Sequence, residues 1–422
     1  MAGGLMQLVA YGAQDVYLTG NPKVTFFQAV YRRHTNFAME NIEQTVNGTA
    51  ANSGRVSITV ARNGDLVADM YVEMEAAAGV VSLSTDGAAV FSNEWLAERA
   101  IKDVELSIGG QRIDKHYQTW WRLYSELYLD ASKKTTYGKM TTGVAGKKVY
   151  LPLIFFFNRN PGLALPLIAL QYHEVRLDFD LTSEFDDYAV ASSFKVYANY
   201  IYLDTEERRR FAQKGHEYLI EQVQHTGTDT LSAGSNQKRL SFNHPVKELV
   251  WCLSQSDKKI NNMWNFTSHV GAGQPQLATD VGTLVAEAQV SADIGNCPRI
   301  QNVGGAVTAW DEDASSNMTD MKLVLNGQDR FKEQGSKYFN SVQPYNHHSG
   351  SPMPGIYSYS FALKPEEHQP TGTCNFSRID NAQVAINAVG SASGEPLTLN
   401  MFAVNYNVLR IQSGMGGLAF SN

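Results

Sequence analysis

Two stretches of this chain make the same unusual demand on the backbone. At Val104–Asp114 the sequence reads VELSIGGQRID. Val104, Leu106 and Ile108 alternate with Glu105 and Ser107, the period of two expected of a strand with one buried face. Gly109-Gly110 then supplies two residues that tolerate positive φ, which a two-residue hairpin turn requires. At Met321–Phe331 the chain reads MKLVLNGQDRF, with Met321, Leu323 and Leu325 on the same alternation and Asn326-Gly327 at the turn. A Gln follows each turn (Gln111 and Gln328). Both stretches therefore predict antiparallel hairpins, and their likeness raises the question of a repeat.

Further matches keep the order of the first. Val175/Leu177/Phe179 answers to Ala382/Val384/Ile386, and Asn199-Tyr200 with Leu203 answers to Asn405-Tyr406 with Leu409. Leu66–Tyr71 matches Val246–Trp251 less closely. The offsets change while the order holds, as loop insertions into two copies of one fold would produce. The reading is an arm over residues 1–24, a first copy over 25–213 and a second over 214–422. A charged join, DTEERRRFAQKG (Asp204–Gly215), lies between the copies. Its Arg208-Arg209-Arg210 run is read as a solvated linker with Glu206 and Glu207 at salt-bridging spacing on a helix.

Each copy offers many short strands separated by Gly, Asn and Pro turns. Strand-like segments begin near Val24. Val56, Ile58 and Val60 alternate before an Asn63-Gly64 turn, and Leu66, Ala68, Met70, Val72 and Met74 continue after it. Tyr117, Trp120, Trp121, Tyr124, Leu127 and Tyr128 fall at helical spacing and predict a short amphipathic helix. Long polar inserts lie near Ala76–Ala100, Leu129–Lys148, Ser254–Thr319 and Val389–Pro396. The economical architecture is all-β, one sandwich or jelly roll per copy, with each sheet burying one face.

Composition narrows the function classes. The 422 residues exceed one ordinary core. A formal net charge of −7 is the wrong sign for coating nucleic acid by phosphate neutralisation, so no direct nucleic-acid partner is expected. Cys252, Cys297 and Cys374 are odd in number and widely spaced, which fits neither a zinc site nor a disulfide framework. The first residues, MAGGLMQLVAYGAQD, lack a basic and then apolar run, so no signal peptide is expected and synthesis in the cytosol is. LPLIFFFNRNPGLALPLIAL (Leu151–Leu170) is apolar enough to suggest a membrane span. Arg159 and Pro161 at its centre argue instead for two buried strands joined by a turn.

Catalytic signals are thin. No GxGxxG, P-loop, GxSxG or HExxH pattern is present. His173-Glu174 and His216-Glu217 are neighbours that would point to opposite faces of a strand. His347-His348 sits in a Pro/Gly-rich loop without an apparent third ligand, and Asp311-Glu312-Asp313 reads as a surface loop. No catalytic residue, metal site or cofactor is expected. Of four N-x-S/T sequons, Asn47, Asn265, Asn317 and Asn375, chance is the default explanation without a secretory signal. Asn265 and Asn317 lie in the long insert of the second copy, where a sugar would be sterically acceptable; Asn375 beside a strand is a poorer candidate.

Several long stretches carry a family resemblance: GGLMQLVAYGAQDVYLTGNPKVTFF from Gly3, IGGQRIDKHY from Ile108, and LPLIFFFNRNPGLALPLIALQYHEV from Leu151. To these are added LDTEERRRFAQ from Leu203, LNGQDRF from Leu325, TGTCNFSRIDNA from Thr371 and NYNVLRIQSGMGG from Asn405. The chain resembles the major capsid proteins of nucleocytoplasmic large DNA viruses, most like those of algal phycodnaviruses such as chlorella viruses. The insert Ser254–Thr319 carries no such match. The resemblance implies two tandem eight-stranded jelly rolls, a double jelly roll with short helices in its loops. It also implies a homotrimer that forms a pseudo-hexagonal capsomer, tiling an icosahedral shell over an inner membrane. Neighbouring capsomers, minor capsid proteins and the inner membrane surface are the implied partners, and the virion is the implied location. The family's outer loops are often glycosylated, which makes Asn265 and Asn317 the glycosylation candidates. The arm would face inward, with Arg32, Arg33 and His34 toward anionic lipid or minor capsid proteins, or else in a buried salt bridge. A carbohydrate-binding β-sandwich is the alternative, hinted at by Trp251, Trp264 and Trp310. A glycan-processing enzyme would need two facing carboxylates in a cleft.

Overall fold

Alternating apolar residues determine where each strand lies, because every second side chain must leave water. The computed structural model describes residues 3–78, 80–81, 91–92, 95–255, 264, 266, 316–389 and 396–420. Two units result, Met1–Phe37 and Ala38–Asn422. The first contains the short helices Gly3–Val9 and Val16–Thr19, so the expected extended arm is partly helical. Leu5, Met6 and Leu8 are good helix formers, and the Asp15 carboxylate accepts the Gly12 N–H at 2.8 Å at the start of the second turn. The first sheet strand begins at Phe37, not near Val24.

The first copy supplies β1 (Phe37–Gln44), β2 (Val46–Asn47), β3 (Arg55–Thr59) and β4 (Leu66–Glu75). A short parallel pair follows, β5 (Val80–Val81) with β6 (Phe91–Ser92). The remaining strands are β7 (Ile101–Ile108), β8 (Gln111–Tyr117), β9 (Lys148–Pro152), β10 (Leu165–Pro166), β11 (Val175–Leu181) and β12 (Lys195–Leu203). One sheet runs β1-β12-β4-β10 with β9 also on β4; the facing sheet runs β2-β3-β11-β7-β8. Val67, Met70, Val72, Val196 and Ala198 from one meet Val56, Ile58, Leu106, Leu177 and Phe179 from the other in a single buried core.

The helix Thr205–Gln213 makes the join, with Arg209 3.7 Å from Glu206 and Arg208 reaching Asp65 at 3.1 Å. The second copy follows with β13 (His216–Leu231), β14 (Gly234–Arg239), β15 (Pro245–Gln255), β16 (Met318–Leu325), β17 (Gln328–Asp329) and β18 (Gln334–Gly335). It closes with β19 (Ile356–Ser360), β20 (Cys374–Asn375), β21 (Ala382–Ala388), β22 (Leu397–Gln412) and β23 (Met415–Leu418). Its sheets run β13-β22-β15-β19, with β20 on β15 and β23 on β22, and β14-β21-β16-β17, with β18 on β16. Leu249, Trp251, Met401 and Ala403 face Met321, Leu323, Val384 and Ile386 in its interior.

The two orders are the same order. β1, β12, β4 and β9 correspond to β13, β22, β15 and β19, while β3, β11, β7 and β8 correspond to β14, β21, β16 and β17. Two of the sequence matches hold to the residue: Leu177 faces Leu106, and Val384 faces Leu323. The other two identify the right strands but slip by one residue. Tyr200 faces Val67 and Asn405 faces Val246, so Asn405 corresponds to Tyr200, not Asn199. A bulge interrupts the β12/β4 and β15/β22 pairings at the corresponding place, with the extra residue on β4 and on β15. A slip of one residue exchanges inward and outward faces, so face assignments from these motifs alone would be inverted.

The predicted helix is present as Gln118–Tyr128. The Leu151–Leu170 run is more broken than two strands and a turn. β9 and β10 both pair with β4, but a helical turn, Phe156–Arg159, and a 3-10 turn, Pro161–Leu163, lie between them. Asn158 holds this turn, accepting the Phe155 N–H at 3.1 Å and donating to the Ala68 carbonyl at 2.8 Å. Among the described residues no helix is long and apolar enough to cross a membrane.

Candidate functional site: the seam between the copies

The outer face of β13-β22-β15-β19 is covered by the connection that leads from β8 to β9 of the first copy. The stripe Tyr117, Trp120, Tyr124 and Tyr128 has the three- and four-residue spacing of one helix face. Tyr117 and Trp120 lie 6.1 and 5.5 Å from Phe402 on β22, and His225 on β13 stacks on the same ring at 4.5 Å. Burial pushes the His225 imidazole down to about 4. Strand β8 adds polar contacts: the Asp114 carboxylate accepts the Val223 N–H at 3.0 Å, and the Gln222 amide donates to the Ile113 carbonyl.

Charges sit inside this apolar seam in matched groups. Glu221 on β13 lies 2.9 Å from Arg159 of the first copy and 2.8 Å from Lys247. Lys247 is the extra residue of the β15 bulge, which turns its side chain inward to the Pro365 carbonyl as well. Burial alone would raise the Glu221 carboxyl, but Arg159 and Lys247 together hold it below the ordinary range. Burial lowers Lys247 to about 8 despite Glu221. Nearby, His348 bridges Glu248 at 3.2 Å and Glu366 at 3.3 Å, with Tyr128 edge-on at 5.3 Å. Burial works against the imidazolium, yet the two carboxylates outweigh it and raise His348 to about 9. A third group, Glu98, Arg122, Glu126 and Lys134, underlies the helix. From it Lys134 donates to the Ser351 carbonyl at 2.6 Å, and Glu126 accepts the Met353 N–H at 3.3 Å. Burial pushes the Glu98 carboxyl up, partly opposed by Arg122 and the Tyr137 hydroxyl. Paired and hydrogen-bonded, such charges fix one docking geometry; unpaired, each would cost several kcal/mol, roughly.

The residues singled out from sequence lie as follows. Gly109 and Gly110 have φ of +58° and +82°, Asn326 and Gly327 +51° and +80°, so the two turns share one backbone shape. Gly109 is also a close approach: a Cβ there would stand 2.4 Å from the His173 ring, which contacts Gly416 of β23. Both turns are architectural and sit apart from the charged groups. Asn317 is fully buried, and its amide nitrogen donates to the Leu253 and Phe266 carbonyls at 2.9 and 2.8 Å. The expectation that a sugar would fit there fails on space and on the committed nitrogen. Asn265 lies outside the described residues, as do Cys297, Trp310 and Asp311-Glu312-Asp313. Asn47 and Asn375 are exposed. Trp251 is buried in the second core and Trp264 packs 5.9 Å from Arg99, so neither offers a sugar platform. Arg32, Arg33 and His34 are exposed, not in a buried salt bridge. His347 is bonded to the Leu363 carbonyl while His348 turns into the seam. Among the described residues no three His, Cys, Asp or Glu side chains gather as a metal would require. Sequence reasoning missed Glu221 and Lys247, and weighed His348 only as a metal ligand beside His347. Arg159 was legible in principle, since a cation within FFFNRN demands a buried partner.

Comparison with known proteins bears on what this seam is for. Residues 25–204 match the family model for the major capsid protein N-terminus, and residues 207–417 that for the large eukaryotic DNA virus major capsid protein. The chain is 45% identical to the major capsid protein of Paramecium bursaria Chlorella virus 1 and 43% identical to that of Pyramimonas orientalis virus, over the whole of every chain. The crystal structure of PBCV-1 VP54 superposes with a TM-score of 0.75 at 39% identity, covering 94% of this chain and 100% of that one. The Faustovirus major capsid protein shares the fold at 13% identity and a TM-score of 0.68, with 97% and 96% covered.

Proposed function

The chain belongs to the family of major capsid proteins of large eukaryotic DNA viruses, and we propose that it works by self-assembly into trimeric, pseudo-hexagonal capsomers of an outer icosahedral shell. The observation that carries this reading is the identical sheet order of two copies locked by a buried, charge-matched seam. Three such chains present six similar sandwiches while needing only threefold closed symmetry. The function involves no turnover. The protein is a virion component made in the host cytoplasm, with neighbouring capsomers, minor capsid proteins and the inner membrane surface as its contacts. The net charge of −7 supports a shell that does not touch the genome directly.

Light scattering on the purified chain tests the assembly reading. Three times the chain mass is expected, and a stable monomer at micromolar concentration overturns it. Deletion of residues 1–24 is expected to leave fold and trimer intact while impairing shell assembly, since those residues belong to a unit separate from both sandwiches.

A further inference from the structure

The chain contains three Asn-Gly pairs, Asn47-Gly48, Asn63-Gly64 and Asn326-Gly327. All three can undergo one reaction, because a residue without a side chain leaves its amide nitrogen open to the side chain before it. The Gly nitrogen gives up its proton and attacks the Asn Cγ; the new N–Cγ bond closes a five-membered imide, and the side-chain nitrogen leaves as ammonia. Water then opens the imide at either carbonyl. One opening gives Asp, and the other gives isoaspartate, in which the main chain runs through the side-chain carbon. One water enters and one ammonia leaves, with no oxidant or reductant. The ring closes only where the Asn amide can turn and the Gly nitrogen can reach it, so local packing and hydrogen bonds decide the rate.

The fold holds two of the pairs. Asn326 Oδ1 accepts the Asn381 N–H at 3.1 Å, and the Asn326 N–H donates to the Asn381 carbonyl at 2.7 Å, so side chain and backbone are both engaged. Asn63 is exposed, but the chain is pinned on either side of it. Arg62 donates to the Leu170 and Gln171 carbonyls, each at 2.8 Å, and the Asp65 N–H donates to the Ile201 carbonyl at 3.1 Å. Gly64 itself is pressed on Tyr200, where a Cβ would stand 2.9 Å from the Tyr200 Cβ.

Asn47 is held less. It ends β2, a two-residue strand at the edge of its sheet, which among the described residues pairs with β3 alone. Asn47 is exposed, and among the described residues neither its side chain nor the Gly48 N–H has a hydrogen-bond partner. The turn out of β2 gives Gly48 a φ of +103°, and a Cβ there would meet the Arg55 carbonyl at 3.1 Å. The fold therefore keeps at position 48 the one residue type that permits the reaction.

We infer that Asn47 is a deamidation site of this chain, converting through the cyclic imide to isoaspartate and Asp while Asn63 and Asn326 stay intact. Isoaspartate lengthens the main chain by one carbon at the end of β2, against the register of Val46 with Ile58 and Asn47 with Ser57. Val46 packs on the first core, so the change loosens an edge of that sandwich. Either product adds one negative charge to the formal net charge of −7.

Peptide mass mapping of the full-length folded chain, incubated at mildly alkaline pH in water enriched in heavy oxygen, tests this. Heavy-oxygen isoaspartate and Asp are expected at position 47, with the isoaspartate peptide labelled by an isoaspartyl methyltransferase. Conversion there is expected to outpace positions 63 and 326 by about tenfold or more, the ratio for about 1.4 kcal/mol of local opening. In guanidinium, which removes the fold, the three pairs are expected to convert at similar rates. Conversion of Asn63 or Asn326 as fast as Asn47 in the folded chain overturns the assignment, as does an intact Asn47. Asp without isoaspartate at position 47 overturns the imide route, and a rate order that persists in guanidinium overturns the role given to the fold.

Discussion

Arg159 of the first copy and Glu221 of the second stand 2.9 Å apart, an ion pair that joins the two sandwiches through their apolar seam. Arg159 ends the helical turn that contains Phe156 and Phe157 and is preceded by Phe155, all three rings buried, so the guanidinium is delivered to the seam by the packing of that run. Glu221 also serves Lys247, which makes it the anion on which two buried cations depend.

Glu221→Gln leaves Arg159 and Lys247 facing each other without their counter-charge. Removal of one member of a buried pair costs about 3–5 kcal/mol. The expected result is a lowered urea midpoint, with the signal of the seam (Trp120 fluorescence) changing first. Gln222→Ala, which removes only an amide, is expected to cost about 1 kcal/mol.

The hairpin glycines separate two kinds of strain. Gly110 has φ of +82° with open space around it, so Gly110→Ala is expected to cost about 1–2 kcal/mol from the left-handed backbone alone. Gly109→Ala adds a collision with the His173 ring and is expected to cost more, because His173 is held at Gly416. Gly110→Val, with its branched side chain, falls between them. Thermal midpoints of the three variants give the order.

Two histidines set opposite pH limits on the seam. His348, raised to about 9 in the folded chain, contributes stability that is full below its ordinary value of 6.5 and lost as pH rises through about 9. His225, held down to about 4, favours the folded chain above 6.5, and that preference is lost as pH falls toward 4. Thermal midpoints measured from pH 4 to 8 are expected to peak near neutrality; above pH 8 the lowered Lys247 works the other way, because the folded chain gives up that proton before the unfolded one does. His348→Gln is expected to flatten the alkaline side, and His225→Phe the acid side. Glu248, Glu366 and Tyr128 face His348, and Tyr117, Asp229 and Phe402 face His225; His348→Gln also removes the imidazolium that helps hold the Glu366 carboxyl down.

Asn317 is expected to carry no sugar in protein from virions, as peptide mass mapping would show. Asn317→Ala is expected to destabilise by about 1–3 kcal/mol by leaving the Leu253 and Phe266 carbonyls without their donor. A glycan at that position would require Asn317 to leave its buried place.

Much of the architecture was legible along the chain, because hairpin turns and alternation are local. Gly109-Gly110 and Asn326-Gly327 tolerate the positive φ that a two-residue turn needs, and Leu106/Leu177 and Leu323/Val384 keep their register because each strand has one buried face. The same locality explains the helix at Gln118–Tyr128. The bulges on β4 and β15 had no such signal: an extra residue in a ladder is a relation between two strands, and it shifted the Asn199/Asn405 match to the wrong face. Asn317 read as an accessible insert residue because a sequon says nothing about burial. The seam was the least legible element of all. Arg159, Glu221, Lys247 and His348 are distant in sequence, and only the docking of one sandwich on the other places them within hydrogen-bonding reach. The sequence by itself determined two copies of a β-sandwich, since periodicity and turn chemistry act over a few residues. Tertiary structure alone decided which face of each copy is covered and which charges meet there, because desolvation and ion pairing depend on distances the chain order does not encode.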